Sequence, residues 1–164
     1  MPRHRVVIAD FIADDMKTER DVLGDIADLV ALDANSESDL AGKVEDAAGI
    51  MLYHNIIISK DTISRLTQCK LIVRCGVGYD NVDWRFARER GIPVANVPDY
   101  GTEEVADSAI GMALSLARGI NLFNNRLQRS SGPWSSTQAA PILRLRGRVF
   151  GIVGLGRIST AAAL

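Results

Sequence analysis

Short apolar runs alternate with amphipathic segments along the first hundred residues, and this alternation restricts the possible folds more than any other feature. Val6-Val7-Ile8-Ala9 ends at Asp10 and is followed by a helical stretch from Thr18 to Ile26. Further runs lie at Leu29 to Leu32, Gly49 to Tyr53, Leu71-Ile72-Val73 and Pro93 to Asn96. The segments between them carry their own start and stop signals. Ser36 precedes a short helix with Leu40 and Val44 on one face, Ser59 precedes one with Ile63 and Leu66 inward, and Asp83 precedes one that Gly91 closes. Strands read as unbroken apolar runs when both faces of their sheet are covered, so the pattern predicts β-α units around a parallel sheet.

After residue 100 the pattern changes. A single helix is expected from Thr102 to Leu127, opened by Glu103 and Glu104, where the macrodipole favours negative charge. Its expected inner stripe is Val105, Ala109, Met112, Ala113, Leu116 and Ile120. The small residues on it suit either a plain core helix or a contact between domains or subunits. Arg129 to Arg146 reads as a loop, rich in serine and interrupted by Gly132-Pro133 and Pro141. Arg148 to Val153 is then expected to be a strand entering Gly154-Leu155-Gly156-Arg157-Ile158-Ser159 and a helix. One β-α unit alone cannot bury both faces of its strand, so the expectation is a truncated second domain.

Two glycine-rich bends are the candidate binding sites, and the second, at Gly154 to Ser159, also suits a mere tight turn. In the second, Gly154 permits a tight turn out of the strand and Gly156 leaves room for a pyrophosphate beside the backbone. The amides of Arg157 and Ile158 would point at phosphate from the helix N-terminus. Ser159 stands where a third glycine or alanine usually allows close helix packing. The acidic residue expected on the ribose would fall about 20 residues further along, beyond Leu164, so NAD and NADP are not distinguished. The first bend is Arg74-Cys75-Gly76-Val77-Gly78-Tyr79-Asp80-Asn81-Val82-Asp83. Two glycines at the carboxyl end of a parallel strand expose consecutive amides, a nest for a small anion such as a carboxylate, with Arg74 adding positive charge. The same residues also suit a plain strand-to-helix turn with Asp83 as cap and Arg74 in a surface ion pair.

Charge and cysteine content exclude some classes. With 19 basic and 20 acidic side chains the net charge is −1, and aromatic residues are 5%, so neither nucleic acid nor an anionic membrane is an expected partner. Cys69 and Cys75 match neither a redox pair nor a zinc knuckle, and no metal site is expected. They read as buried reduced thiols. The N-terminal apolar run is too short for a signal peptide and no stretch is long enough to span a bilayer, so a cytoplasmic location is expected.

The run Gly76-Val77-Gly78-Tyr79-Asp80-Asn81-Val82-Asp83, followed by Gly91-Ile92-Pro93-Val94, Asn96-Val97-Pro98, Glu104-Val105-Ala106-Asp107-Ser108 and Gly154-Leu155-Gly156-Arg157-Ile158, resembles the D-isomer-specific 2-hydroxyacid dehydrogenases. The resemblance is strong from about Ile50 onward. Met51-Leu52-Tyr53-His54 and Ile72-Val73-Arg74 make the chain most similar to the C-terminal-binding-protein branch, with phosphoglycerate-dehydrogenase-like members close by. It implies an α/β chain: a flavodoxin-like substrate domain over residues 1–100, then the truncated start of a Rossmann dinucleotide-binding domain over 101–164. It also implies hydride transfer between nicotinamide and a 2-hydroxy or 2-oxo acid, and a homodimer formed through the helix from Thr102 to Leu127.

By position, Tyr53, Arg74, Gly76, Val77 and Gly78 would face the substrate, and Val105, Gly154, Gly156, Arg157 and Ile158 the cofactor, NAD or NADP. The family's catalytic arginine, acidic residue and histidine belong to a later part of its sequence. His4 and His54, the only histidines here, match no catalytic motif. No catalytic residue is therefore assigned in this chain, and negligible turnover is expected from it alone. The alternatives are an NAD(H)-sensing corepressor-like module that recruits peptides, and a stand-alone flavodoxin-like domain. The second leaves the terminal glycine turn unexplained.

Overall fold

The computed structural model describes residues 3–12, 14–138, 142 and 144–164. The chain divides into two compact units, Met1–Tyr100 and Gly101–Leu164. The first holds five strands: β1 (His4–Ile8), β2 (Ala27–Ala31), β3 (Gly49–Leu52), β4 (Leu71–Arg74) and β5 (Val94–Asn96). All pair in parallel in the order β2-β1-β3-β4-β5. That is the flavodoxin-like doubly wound order, which places a ligand crevice at the carboxyl ends of the strands. Three helices lie between the strands: α1 (Lys17–Leu23), α2 (Lys60–Arg65) and α3 (Trp84–Glu89).

Alternate residues of a strand point to opposite faces. Val7 and Ala9 therefore join one core with Leu40, Val44, Ile50, Leu52, Ile63 and Ile72, while Ile8 joins Met16, Ala27 and Leu29 on the other side. The expected caps form. Ser59 Oγ accepts from Asp61 N–H, Asp83 Oδ1 accepts from Phe86 N–H, and Gly91 adopts φ 73 beyond α3. The segment after Ser36 is a 3-10 turn, Glu37–Leu40, with Leu40 and Val44 both fully buried as expected.

Glu37 ties this turn to α2. Its Oε1 accepts from Ser59 N–H and Oγ–H and from Thr62 Oγ1–H at 2.6–2.8 Å. Burial alone would raise its carboxyl, but the bonds from Thr62 and Ser59 outweigh that and hold it below the ordinary glutamate value of 4.5. A lowered folded-state pKa stabilises the fold above 4.5, and the contribution is lost as pH falls through the folded value. The Tm difference between wild type and Glu37→Gln should therefore shrink on acidification. A difference constant from neutral pH down through that window would contradict it.

The second unit corrects three expectations. The long helix is two, α4 (Thr102–Arg118) and α5 (Ile120–Gln128), because Gly119 takes a left-handed conformation and closes α4 through its N–H on Leu116 O and Ser115 O. The expected inner stripe does not line a core within this unit: Val105, Met112, Leu116 and Ile120 are exposed, and Ala106 is the buried residue of α4. Of the expected stripe, Ala113 does face inward: with Ile110 and Ala117 it lines an apolar cavity of about 520 Å³ that Phe150, Ile152 and Ala162 also line. Finally, Val149 to Val153 is not a strand. A strand needs a ladder partner for its N–H and C=O groups, and the described residues of this unit include no other strand. The helix expected after Gly156 does form, as α6 (Arg157–Ala163). The stretch expected to be a loop carries one 3-10 turn, Ser136–Gln138, and Pro141 lies outside the described residues. No helix among the described residues is long and apolar enough to cross a membrane.

Candidate active site

The Gly76–Gly78 bend follows β4 and is tied to both neighbouring strand ends: Cys75 N–H donates to Leu52 O at the end of β3, and the residues at the end of β5 donate to the bend itself. Just past β4, the Gly76 carbonyl accepts from Val97 N–H at 3.0 Å, and the Val77 carbonyl accepts from Asn96 Nδ2 at 2.8 Å. In a trans peptide the N–H points away from the carbonyl of the same plane. Anchoring those two carbonyls on the β5 side therefore turns the Val77 and Gly78 amides together to the opposite side. Neither amide donates to an acceptor among the described residues.

Arg74 completes this feature. Its guanidinium lies against Gly76, where a Cβ would stand 2.9 Å from Cζ and closer still to Nη1, so this position requires glycine while Arg74 is in place. Arg74 Nε is buried without a partner among the described residues. The alternative of a plain turn is half met: Asp83 does cap α3, but Arg74 makes no ion pair among the described residues.

Tyr53 follows β3. Burial, then the neighbouring Cys75, raise its phenol, so it remains protonated at neutral pH and can donate. Burial likewise raises the Cys75 thiol, against the lowering effect of Arg74. Both cysteines are free and half-buried. The Tyr53 ring stacks on Phe11 at 5.2 Å, and Phe11 also meets His54 at 5.1 Å. Phe11 has φ 71, an uncommon conformation for a bulky residue and one that concentrates at functional sites.

Two residues that sequence reasoning did not select hold Tyr53 in place. Asp10 is fully buried, and its two carboxyl oxygens accept from Tyr53 N–H at 2.6 Å and Asn55 N–H at 2.7 Å. Asn81 Nδ2 donates to Tyr53 O and Ile56 O. Their sequence signals were a polar residue closing an apolar run and an asparagine inside the glycine bend.

In the second unit, Gly154 has φ 88, which favours glycine, and Gly156 is the N-cap of α6. A Cβ on Gly156 would meet nothing within 4 Å, so the backbone there is open to close approach. Arg157 and Ile158 form the first turn of α6, and Val105 is exposed on α4.

The family model for D-isomer specific 2-hydroxyacid dehydrogenase, catalytic domain, matches residues 6–163. The chain belongs to that family. Over 114 residues it is 36% identical to D-3-phosphoglycerate dehydrogenase of Methanocaldococcus jannaschii, a match covering 70% of this chain and 21% of that protein. Among solved structures, NADPH-dependent glyoxylate/hydroxypyruvate reductase of Sinorhizobium meliloti, in complex with NADP and malonate, is 33% identical with a TM-score of 0.78, covering 99% of this chain and 49% of that one. D-lactate dehydrogenase of Aquifex aeolicus, complexed with NAD and lactic acid, shares the fold at a TM-score of 0.81 and 23% identity over 96% of this chain and 46% of that one. The chain thus spans about half the length of these two solved structures and about a fifth of the Methanocaldococcus jannaschii relative.

Proposed function

We propose that this chain forms the acid-binding part of an oxidoreductase that moves a hydride between NAD or NADP and the 2-position of a small 2-hydroxy or 2-oxo acid. Two observations carry the reading: β5 holds the Gly76 and Val77 carbonyls, which leaves the Val77 and Gly78 amides without acceptors among the described residues, and the Arg74 guanidinium lies against Gly76. Convergent N–H groups and a cation complement the two oxygens of a carboxylate. Tyr53, holding its proton, adds a donor at the edge of the site and cannot serve as a base. His54 is exposed beside Phe11 and His4 begins β1, and neither stands in a catalytic motif, so neither histidine is assigned the proton transfer.

Val105, Gly154, Gly156, Arg157 and Ile158 are the residues proposed to hold the dinucleotide. The left-handed Gly154 and the open space at Gly156 fit a pyrophosphate passing close to the backbone, with the first-turn amides of α6 facing it. When bound, that cofactor supplies or accepts the hydride; the residues here bind and orient. The exposed apolar side chains Met112, Leu116 and Ile120 support a homodimer face on α4 and α5. The two free thiols suit a reducing, cytoplasmic setting. No observation favours the peptide-recruiting alternative.

Calorimetric titration tests the acid-binding role. Glyoxylate and hydroxypyruvate should bind the chain and their uncharged esters should not; equal binding of acid and ester would sink the reading. With NADH or NADPH present, the 164 residues alone should reduce neither acid. A clear rate abolished by Arg74→Ala would show that the machinery is more complete than proposed.

A further inference from the structure

Asn81 lies in the loop between β4 and α3 and reaches across to the turn after β3. Its Nδ2 donates to Tyr53 O at 3.1 Å and to Ile56 O at 3.0 Å. Both facing atoms are carbonyl oxygens, so only the NH₂ end of the amide can meet them. The other end, Oδ1, is buried without a partner among the described residues. A side chain held at that cost must provide something its neighbours do not. The two loops are already joined by backbone: Ile58 N–H donates to Asn81 O at 2.8 Å and Asp83 N–H to Ile58 O at 2.9 Å. Those bonds fix the far end of the turn. The Asn81 side chain fixes the near end, at the carbonyl of Tyr53, whose amide Asp10 grips from β1. With both its N–H and its C=O bound, the Tyr53 backbone is fixed, and with it the direction in which the ring leaves the chain.

We propose that Asn81 is a positioning residue of the acid site: by tying the Tyr53 carbonyl to the loop that carries Val77 and Gly78, it sets the Tyr53 side chain in register with those two amides. The inference rests on the acid-binding reading above. It assigns Asn81 no contact with substrate; the residue acts through Tyr53.

The test is a calorimetric titration of the full chain with sodium malonate, well below Tm, for wild type, Asn81→Asp, Asn81→Ser and Glu37→Ala. Asn81→Asp has the same shape but no donor for the two carbonyls. It should bind malonate about tenfold more weakly, and Asn81→Ser, with one donor, should recover part of the loss. In wild type the Tyr53 ring resonances should move as malonate is added, and in Asn81→Asp they should no longer respond. Glu37→Ala removes a half-buried bond cluster elsewhere, so it should lower Tm and leave malonate affinity unchanged.

Equal affinity in wild type and the Asn81 variants overturns the proposal. So does a loss in Glu37→Ala that matches the loss in Asn81→Asp, because the effect would then be general softening. Should Asn81→Asp not fold, Asn81→Ser carries the same comparison. Malonate failing to bind wild type is a separate result: it removes the acid-binding reading itself, and this inference with it.

Discussion

Asp10→Ala is expected to destabilise the first unit by about 3 kcal/mol, the largest loss for any single polar side chain in it, because two buried amides lose their acceptors together. Asp10 is fully buried at the end of β1 and binds Tyr53 N–H and Asn55 N–H, residues 43 and 45 positions away. No other acceptor among the described residues is bonded to either amide. Alanine would leave both unpaired and open a small void beside the Tyr53 turn. Urea unfolding monitored by circular dichroism measures the change. A loss well under 1 kcal/mol would mean that water or another group satisfies the two amides, and that Asp10 is not the peg holding β1 to the turn after β3.

Gly76→Ala should do the reverse, sparing the fold and damaging the site. Gly76 does not have a positive φ, so alanine fits its backbone. Its methyl group, however, would take the space of the Arg74 guanidinium, the far end of a flexible side chain that can swing away. Tm should change little, while affinity for malonate should fall by about ten- to a hundredfold, the worth of one or two charge-assisted bonds. Because the damage passes through Arg74, the double variant Arg74→Ala/Gly76→Ala should bind no worse than Arg74→Ala alone. Additive losses, or undiminished binding by Gly76→Ala, would separate Arg74 from the acid site.

The sequence was most legible where the physics is local. The apolar runs at Val6, Gly49 and Leu71 mark strands, and Ser59 and Asp83 cap the helices they precede, because side-chain alternation and capping depend on near neighbours. It was least legible where the outcome depends on distant partners. Val149 to Val153 has the composition of a strand, but composition cannot provide a ladder partner. Gly119 sits inside a helical pattern that tolerates glycine, and nothing local says it will turn left-handed. The stripe on α4 has helical spacing, yet spacing does not say what covers it.

The site divides in the same way. Gly76-Val77-Gly78 announces a bend at a strand end with Arg74 as a cation beside it, and the resemblance drew attention to Tyr53. Asp10 and Asn81 act across separations of 43 and 28 residues, and only the folded chain shows what they hold.

A malonate titration of nitrogen-labelled protein, followed at each backbone amide separately, reads the proposed donors themselves. The Val77 and Gly78 resonances should shift most and saturate together, and both should become unresponsive in Arg74→Ala. Saturating shifts confined to other parts of the chain, with Val77 and Gly78 silent, would contradict the acid-binding reading.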